Sequence, residues 1–289
     1  MADQEILAGR EETAEDSGTL GLIVYGNVGG NMQTVLSYTA TGQVPGALAW
    51  LTGNFTGTEN MGIQIAQPWD NNGTLGLNIY GNVGGTLQPV FTSSDMGQGS
   101  GALAWLTGNF TGTGNDFTEI AQLWDNDGIL GLNVYGIGNG TLETVFTNPN
   151  MSQGSGALAF LAGYFTGSGT TTQIAQPWDN NGTLEMIVYG IGNDGTLETV
   201  YASPMHQGSS ALAFLTGNFI SSGPTQIAQT RDNNGALQLL IYGNVGDGGL
   251  STVFSNDISQ IPFALAWVTG DFTGTGNTQI LQPWMRVFG

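Results

Sequence analysis

Five copies of one pattern run almost the whole length of this chain, and that repetition restricts its fold more than any other feature. The copies span residues 18–72, 73–127, 128–181, 182–234 and 235–289, each 53 to 55 residues long. Each passes the same landmarks: a Leu-rich stretch closed by Tyr-Gly, a glycine-rich turn, a Thr/Val stretch and a polar loop with Gln. Ala-Leu-Ala-aromatic, Gly-Asn/Asp-Phe and Gln-Ile-Ala/Leu-Gln follow. Structured pieces are five to eight residues long and bounded by Gly, Asn, Asp or Pro, which punctuate strands rather than helices. In the second and third copies the strands are expected at 102–107, 118–124, 129–135 and 142–147. Residues 125–128 and 136–140 are the hairpin links. Four short antiparallel strands repeated five times predict an all-β fold, a five-bladed β-propeller of four-stranded antiparallel blades. The sequence starts on strands three and four (18–37) and ends on strands one and two (264–284), so the last blade is expected to be closed by both termini. Residues 1–17, with six acids and one Arg, read as a solvated acidic arm before a single propeller domain, 18–289.

Composition excludes several functions. The chain has 3 cationic side chains against 22 acidic ones and a net charge of −19. Arg10, Arg231 and Arg286 cannot supply a nucleic-acid-binding patch, and an anionic membrane surface would repel the chain. With no cysteine and only His206 there is no disulfide frame, thiolate nucleophile or multi-histidine metal centre. No apolar stretch is long enough to span a bilayer. No signal peptide is visible. Sequons such as 54–56, 72–74 and 109–111 fall in tight turns where a glycan would be awkward, so the chain reads as cytoplasmic or released without a signal peptide.

The link between strands one and two reads Gly-Asn-Phe-Thr-Gly-Thr-Gly-Asn over 108–115 and Gly-Asp-Phe-Thr-Gly-Thr-Gly-Asn-Thr-Gln-Ile-Leu over 270–281. It resembles the FG-GAP/VCBS repeat of integrin-like β-propellers, and the frame recurs in all five copies. In that family the loop aspartates often bind Ca²⁺, which wants six to eight oxygens with several carboxylates. Here the first ligand position holds Asn54, Asn109, Tyr164, Asn218 and Asp271. The last holds Gln64, Gln173, Gln226 and Gln279, with Glu119 the exception. Such loops are expected to keep the turn without the ion. No metal and no other cofactor is expected.

Glycoside hydrolysis needs two carboxylates in distinct environments. The acids here recur at equivalent places, and His206 lies in a variable loop, so no enzyme is expected. Repeated polar residues suggest a binding face instead. Up-and-down blades put the turn between strands two and three on the same face as the interblade loop. The turn carries Trp69-Asp70, Trp124-Asp125 and Trp178-Asp179, then Arg231-Asp232, with Trp284 in the last copy. The interblade loop carries Gln43, Gln98, Gln153, Gln207 and Gln260. An indole beside carboxylate and amide groups suits a pyranose and its hydroxyls. The leading expectation is a lectin-like, multivalent carbohydrate-binding propeller whose partners are glycans or glycoconjugates. The alternative is a protein-interaction or toxin-associated scaffold without catalytic activity. The same tryptophans and glutamines have a structural reading, as blade wedges and loop-backbone partners. A second Gln row (Gln67, Gln122, Gln176, Gln229, Gln282) reads as interblade hydrogen bonding. The Ala-Leu-Ala-Trp/Phe and Tyr-Gly series read as blade core.

Overall fold

A computed structural model describes residues 5–10, 20–28, 31–40, 47–57, 62–71, 73–97, 101–112, 117–126, 128–151, 156–167, 170–205, 211–220, 223–233, 236–243, 245, 249–258, 266–273 and 275–282. The fold is an all-β propeller of four-stranded antiparallel sheets. Among the described residues four such blades are complete. The first has β4 (Leu51–Gly53), β5 (Gln64–Asn71), β6 (Thr74–Val83) and β7 (Thr86–Ser93). The second has β8 (Ala102–Gly108), β9 (Glu119–Asn126), β10 (Ile129–Gly138) and β11 (Thr141–Asn148). The third has β12 (Leu161–Gly163), β13 (Gln173–Asn180), β14 (Thr183–Ile191) and β15 (Leu197–Pro204). The fourth has β16 (Ala211–Gly217), β17 (Gln226–Asn233), β18 (Ala236–Gly243) and β19 (Ser251–Ile258).

The chain ends differ from the sequence expectation. The chain ends form two smaller sheets: a three-stranded one from β1 (Glu5–Arg10), β2 (Leu20–Val28) and β3 (Asn31–Ala40), and a pair, β20 (Val268–Gly270) with β21 (Gln279–Leu281). Strand β2 pairs with β1, which lies inside the stretch read as a solvated arm. An edge strand with unpaired amides takes whatever in-register partner lies near it.

Two compact units divide the chain. The first, residues 1–109, 114–127 and 131–149, has two cores. One packs Leu22 with Ile65, Tyr80 and Leu87. The other packs Phe55, Leu75, Leu77, Ile79 and Met96 of one blade with Ile120, Tyr135 and Ile137 of the next. The second unit, residues 110–113, 128–130 and 150–289, packs Phe165, Leu184, Met186 and Val188 with Ile227, Leu240 and Tyr242. In both, the tyrosine of a third strand is pressed onto the preceding blade.

That tyrosine sits at a bulge. The register slips between Ile79 and Tyr80, Val134 and Tyr135, Val188 and Tyr189, and Ile241 and Tyr242. Two residues of strand four there oppose one of strand three. The valine at the slip (Val145 or Val200) lies 3.3 Å from where a Cβ would stand on Gly136 or Gly190, which is why Gly follows the Tyr.

Candidate functional site

The Gly-Asn-Phe loop stitches neighbouring blades together. The amide of Asn54 donates to Thr118 Oγ1 at 2.9 Å, and the Thr118 amide returns a bond to the Asn54 carbonyl at 2.7 Å. Tyr164 does the same with Thr225, and Asn218 with Thr278. The approach is close. A Cβ on Gly53, Gly163 or Gly217 would meet the partner threonine's Cγ2 at 2.5–2.7 Å. The following phenylalanines, Phe55 and Phe165, are buried.

The loop is then closed by an amide where the resembling family has a carboxylate. Gln64 Oε1 accepts from the amides of Phe55 and Thr56, and its Nε2 donates to Thr56 Oγ1. Gln226 accepts from the amides of Phe219 and Ile220. Gln173 ties Thr166 through both its backbone amide and its hydroxyl. The amide side chain thus accepts from backbone N–H groups with its oxygen and donates to the threonine hydroxyl with its nitrogen. Asp271, the one acid in a first ligand position, accepts from the amides of Thr275 and Gly276. Among the described residues no three acidic or histidine side chains come together.

The turn between strands two and three has a fixed design. Asp70 Oδ1 accepts from the Gly73 amide at 2.7 Å, and Asp179 Oδ1 from the Gly182 amide. Strand one closes onto the same corner. Ala47 bridges Trp69, Ala157 bridges Trp178, and Ala102 and Ala211 are paired with Trp124 and Arg231. Gly101 (φ +111°) and Gly156 (φ +100°) stand where a Cβ would meet the carbonyl oxygens of Asp125 and Asp179 at 2.9 and 2.8 Å. Only glycine takes that backbone so close to another chain segment.

The indoles lie across strand three. Trp69 covers Gly76 and Trp124 covers Gly131. A Cβ on either glycine would stand 2.1–2.3 Å from ring atoms. Trp69 and Trp178 are half-buried and Trp124 is 9% exposed. None of the three indole N–H groups meets a protein acceptor. Where the indole is absent, a polar relay replaces it: Arg231 Nε donates to Gln238 Oε1, and Gln238 Nε2 to Asp257. Asp232 lies on the exposed corner beside it. Trp284 and the interblade residues Gln43, Gln98, Gln153, Gln207 and Gln260 lie outside the described residues, as does His206.

The second Gln row bonds within blades rather than between them. The phenol of Tyr80 donates to Gln67 Oε1, Tyr135 to Gln122 and Tyr242 to Gln229, each across two strands of one sheet. In the third blade Tyr189 instead reaches the Met151 carbonyl, and Gln176 Oε1 has no partner. Burial pushes the phenols of Tyr80, Tyr135, Tyr189 and Tyr242 up to about 12.

Two features of this face were not read from the sequence. Leu48, Leu103, Leu158 and Leu212, each next to the alanine that opens strand one, are 43–57% exposed. They belong to the Ala-Leu-Ala series expected in the core, whose aromatic members Trp50, Trp105 and Phe214 do pack against it. Met96, Met151 and Met205 are buried at the root of the interblade loop, two residues before its Gln. The amides of Met96 and Met205 donate to the carbonyls of Leu75 and Leu184. The recurring Met-x-Gln spacing was the available signal.

Among the described residues no helix is long and apolar enough to cross a membrane. No protein-family model matches the sequence, and no curated protein matches it. Solved structures do. A rhamnogalacturonan lyase, YesW, aligns over 98% of this chain and 69% of its own, at 12% identity and a TM-score of 0.44. A protein from Lactobacillus plantarum aligns over 98% and 95%, at 11% and 0.47. The Nup133 β-propeller domain of Vanderwaltozyma polyspora aligns over 96% and 83%, at 10% and 0.46. The expectation that the chain is not an enzyme is corrected by the first of these. An enzyme shares the arrangement over nearly the full chain, so the exclusion drawn from repeated acids is withdrawn. At these scores the likeness carries no argument for an activity of this chain.

Proposed function

We propose that the chain is a multivalent carbohydrate-binding propeller of the FG-GAP/VCBS-like kind, five-bladed, with its last blade completed by both chain ends. Its sites are the Trp-Asp corners and the Gln-bearing interblade loops. They involve Trp69, Asp70, Trp124, Asp125, Trp178, Asp179, Asp232 and Trp284, with Gln43, Gln98, Gln153, Gln207 and Gln260. The observation that carries this reading is the corner itself. Asp70 and Asp179 are held by the same bond to a glycine amide, beside a half-buried indole in the same cross-strand position. A carboxylate fixed before the ligand arrives loses little entropy on accepting paired hydroxyls, and an indole rim offers apolar area to a sugar ring. Each such site is weak alone, and repetition along one chain multiplies it.

The test is a glycan array probed with the full chain, followed by Asp70→Asn and Asp179→Asn, which keep an acceptor for the turn amide. Binding to a glycan class that weakens with each substitution supports the reading. An array with no bound glycan contradicts it. The exposed leucines favour a second reading, a protein-interaction scaffold, because four equivalent apolar side chains at strand-one starts suit a partner protein. Leu103→Ser with Leu158→Ser leaves sugar binding intact under the first reading and abolishes partner binding under the second.

A further inference from the structure

One apolar face recurs within each unit. In the first, Phe55, Leu77 and Ile79 form it, Trp105 packs against it and the ring of Tyr135 covers it. In the second, Phe165, Met186 and Val188 form it with Phe214, and Tyr242 covers it. The fourth blade repeats the face with Phe219, Leu239, Ile241 and Trp267, and no tyrosine stands among the described residues that line it. A cavity of about 440 Å³ lies there instead, wholly within the second unit. Phe219 and Leu239 are accordingly half-buried, whereas Phe55, Phe165, Leu77 and Met186 are at most 1% exposed.

The open face carries a polar group that the covered ones lack. Pro68 stands opposite Leu77 and Pro177 opposite Met186, and the second copy has Leu123 at this place. Opposite Leu239 stands Thr230. This threonine lines the cavity and is fully buried, and its Oγ1 has no hydrogen-bond partner. A hydroxyl thus replaces an apolar residue in the blade whose face is open. Buried and unpaired, it is a cost that a ligand with a matching group removes.

The rest of the lining says what else the ligand must be. Phe219, Phe254 and Trp267 supply aromatic surface, Leu239 and Ile241 aliphatic surface, and none of the described lining residues is charged. An anion would also meet a chain of net charge −19. A pyranose would leave most of its hydroxyls unpaired against such walls. The volume is that of a small-molecule site, and an apolar cavity with one or two convergent polar groups is the usual form of one.

We propose that this cavity binds an uncharged phenol-type compound, an aromatic ring with one hydroxyl. The ring sits on Phe219, Leu239 and Ile241 as the tyrosine rings sit on the equivalent faces, and the hydroxyl bonds Thr230 Oγ1. The site is separate from the Trp-Asp corners and does not rest on their binding sugars.

The test uses the full-length chain and two probes of one shape, 4-ethylphenol and ethylbenzene, titrated by isothermal calorimetry. The chain is expected to bind 4-ethylphenol about tenfold more tightly than ethylbenzene. Thr230→Val keeps the shape and removes the hydroxyl. It is expected to abolish that preference and to raise the urea midpoint of the ligand-free chain, because an unpaired buried hydroxyl is gone. Ile220→Trp, on the rim where Ile220 is 46% exposed, is expected to weaken both probes about tenfold by filling the entrance. No binding of 4-ethylphenol overturns the proposal. A preference that survives Thr230→Val, or a midpoint that does not rise in that variant, overturns Thr230 as the hydroxyl's partner and the phenol class with it. Binding unmoved by Ile220→Trp puts the probes elsewhere and overturns the site.

Discussion

The four complete blades and the C-terminal strand pair are written in the same repeat, yet they bury it to different depths. In the second blade Ile120 is 2% exposed and Leu123 fully buried, because β9 has a neighbour on each side. In the C-terminal pair, Ile280 is half-buried and Leu281 is 44% exposed. The local devices are nevertheless the same at both places. Thr278 stitches to Asn218 as Thr118 stitches to Asn54, and Gln279 closes its loop as Gln64 does. Stitch and loop closure are thus properties of a few neighbouring residues. Burial is a property of the third strand.

The largest contrast between the regions comes at alkaline pH, because it is collective. The folded phenols of Tyr80, Tyr135, Tyr189 and Tyr242 titrate near 12 rather than 10. Their contribution is fully present below pH 10 and is lost as pH rises towards 12, since the unfolded chain releases those protons first. Denaturant titrations at pH 9, 10, 11 and 12 should show a falling midpoint over that window. A midpoint independent of pH there would place these tyrosines outside the blade cores.

Single substitutions sharpen the same contrast. Ile120→Ala is expected to cost about 2–5 kcal/mol, and Ile280→Ala less than about half as much, read from urea unfolding. Equal costs would mean that the C-terminal pair is as deeply packed as a finished blade. Gly131→Ala should cost about 1–3 kcal/mol by driving a methyl group into the Trp124 ring. A neutral result would show the indole free to move off the sheet. The smallest difference lies between two tyrosines. Tyr135→Phe takes the 2.8 Å phenol bond from buried Gln122 and should cost about 1–2 kcal/mol. Tyr189→Phe loses only a 3.4 Å contact to the Met151 carbonyl and should cost less.

Strand order was legible because Gly, Asn and Asp bound the strands and the copies agree on where; strand length was not, since β4 and β12 have three residues and β6 and β10 have ten. The loop frame was legible as well, and so was the loss of its carboxylates. What replaced them was not, since a glutamine in a string does not reveal that one oxygen takes two backbone amides while its nitrogen binds Thr56. The Gln67 row was read as joining blades. Its bonds run to Tyr80 within the sheet, because cross-strand neighbours two residues apart share a face. Leu48 and its equivalents were read as core, since Ala-Leu-Ala has the alternation of a strand but does not say which face is covered. At the N-terminus, six acids in seventeen residues masked the strand at Glu5–Arg10, whose register only pairing reveals.

The proposal that repeated corners bind glycans together is tested most directly by one comparison of affinities. A glycan selected on the array is offered to the full chain first as a free monovalent sugar and then displayed in many copies on a surface. Repeated weak sites on one chain predict binding to the display at least about 100-fold tighter than to the free sugar. Equal affinities for the two forms would contradict multivalency, and no binding to either would contradict the sugar sites themselves.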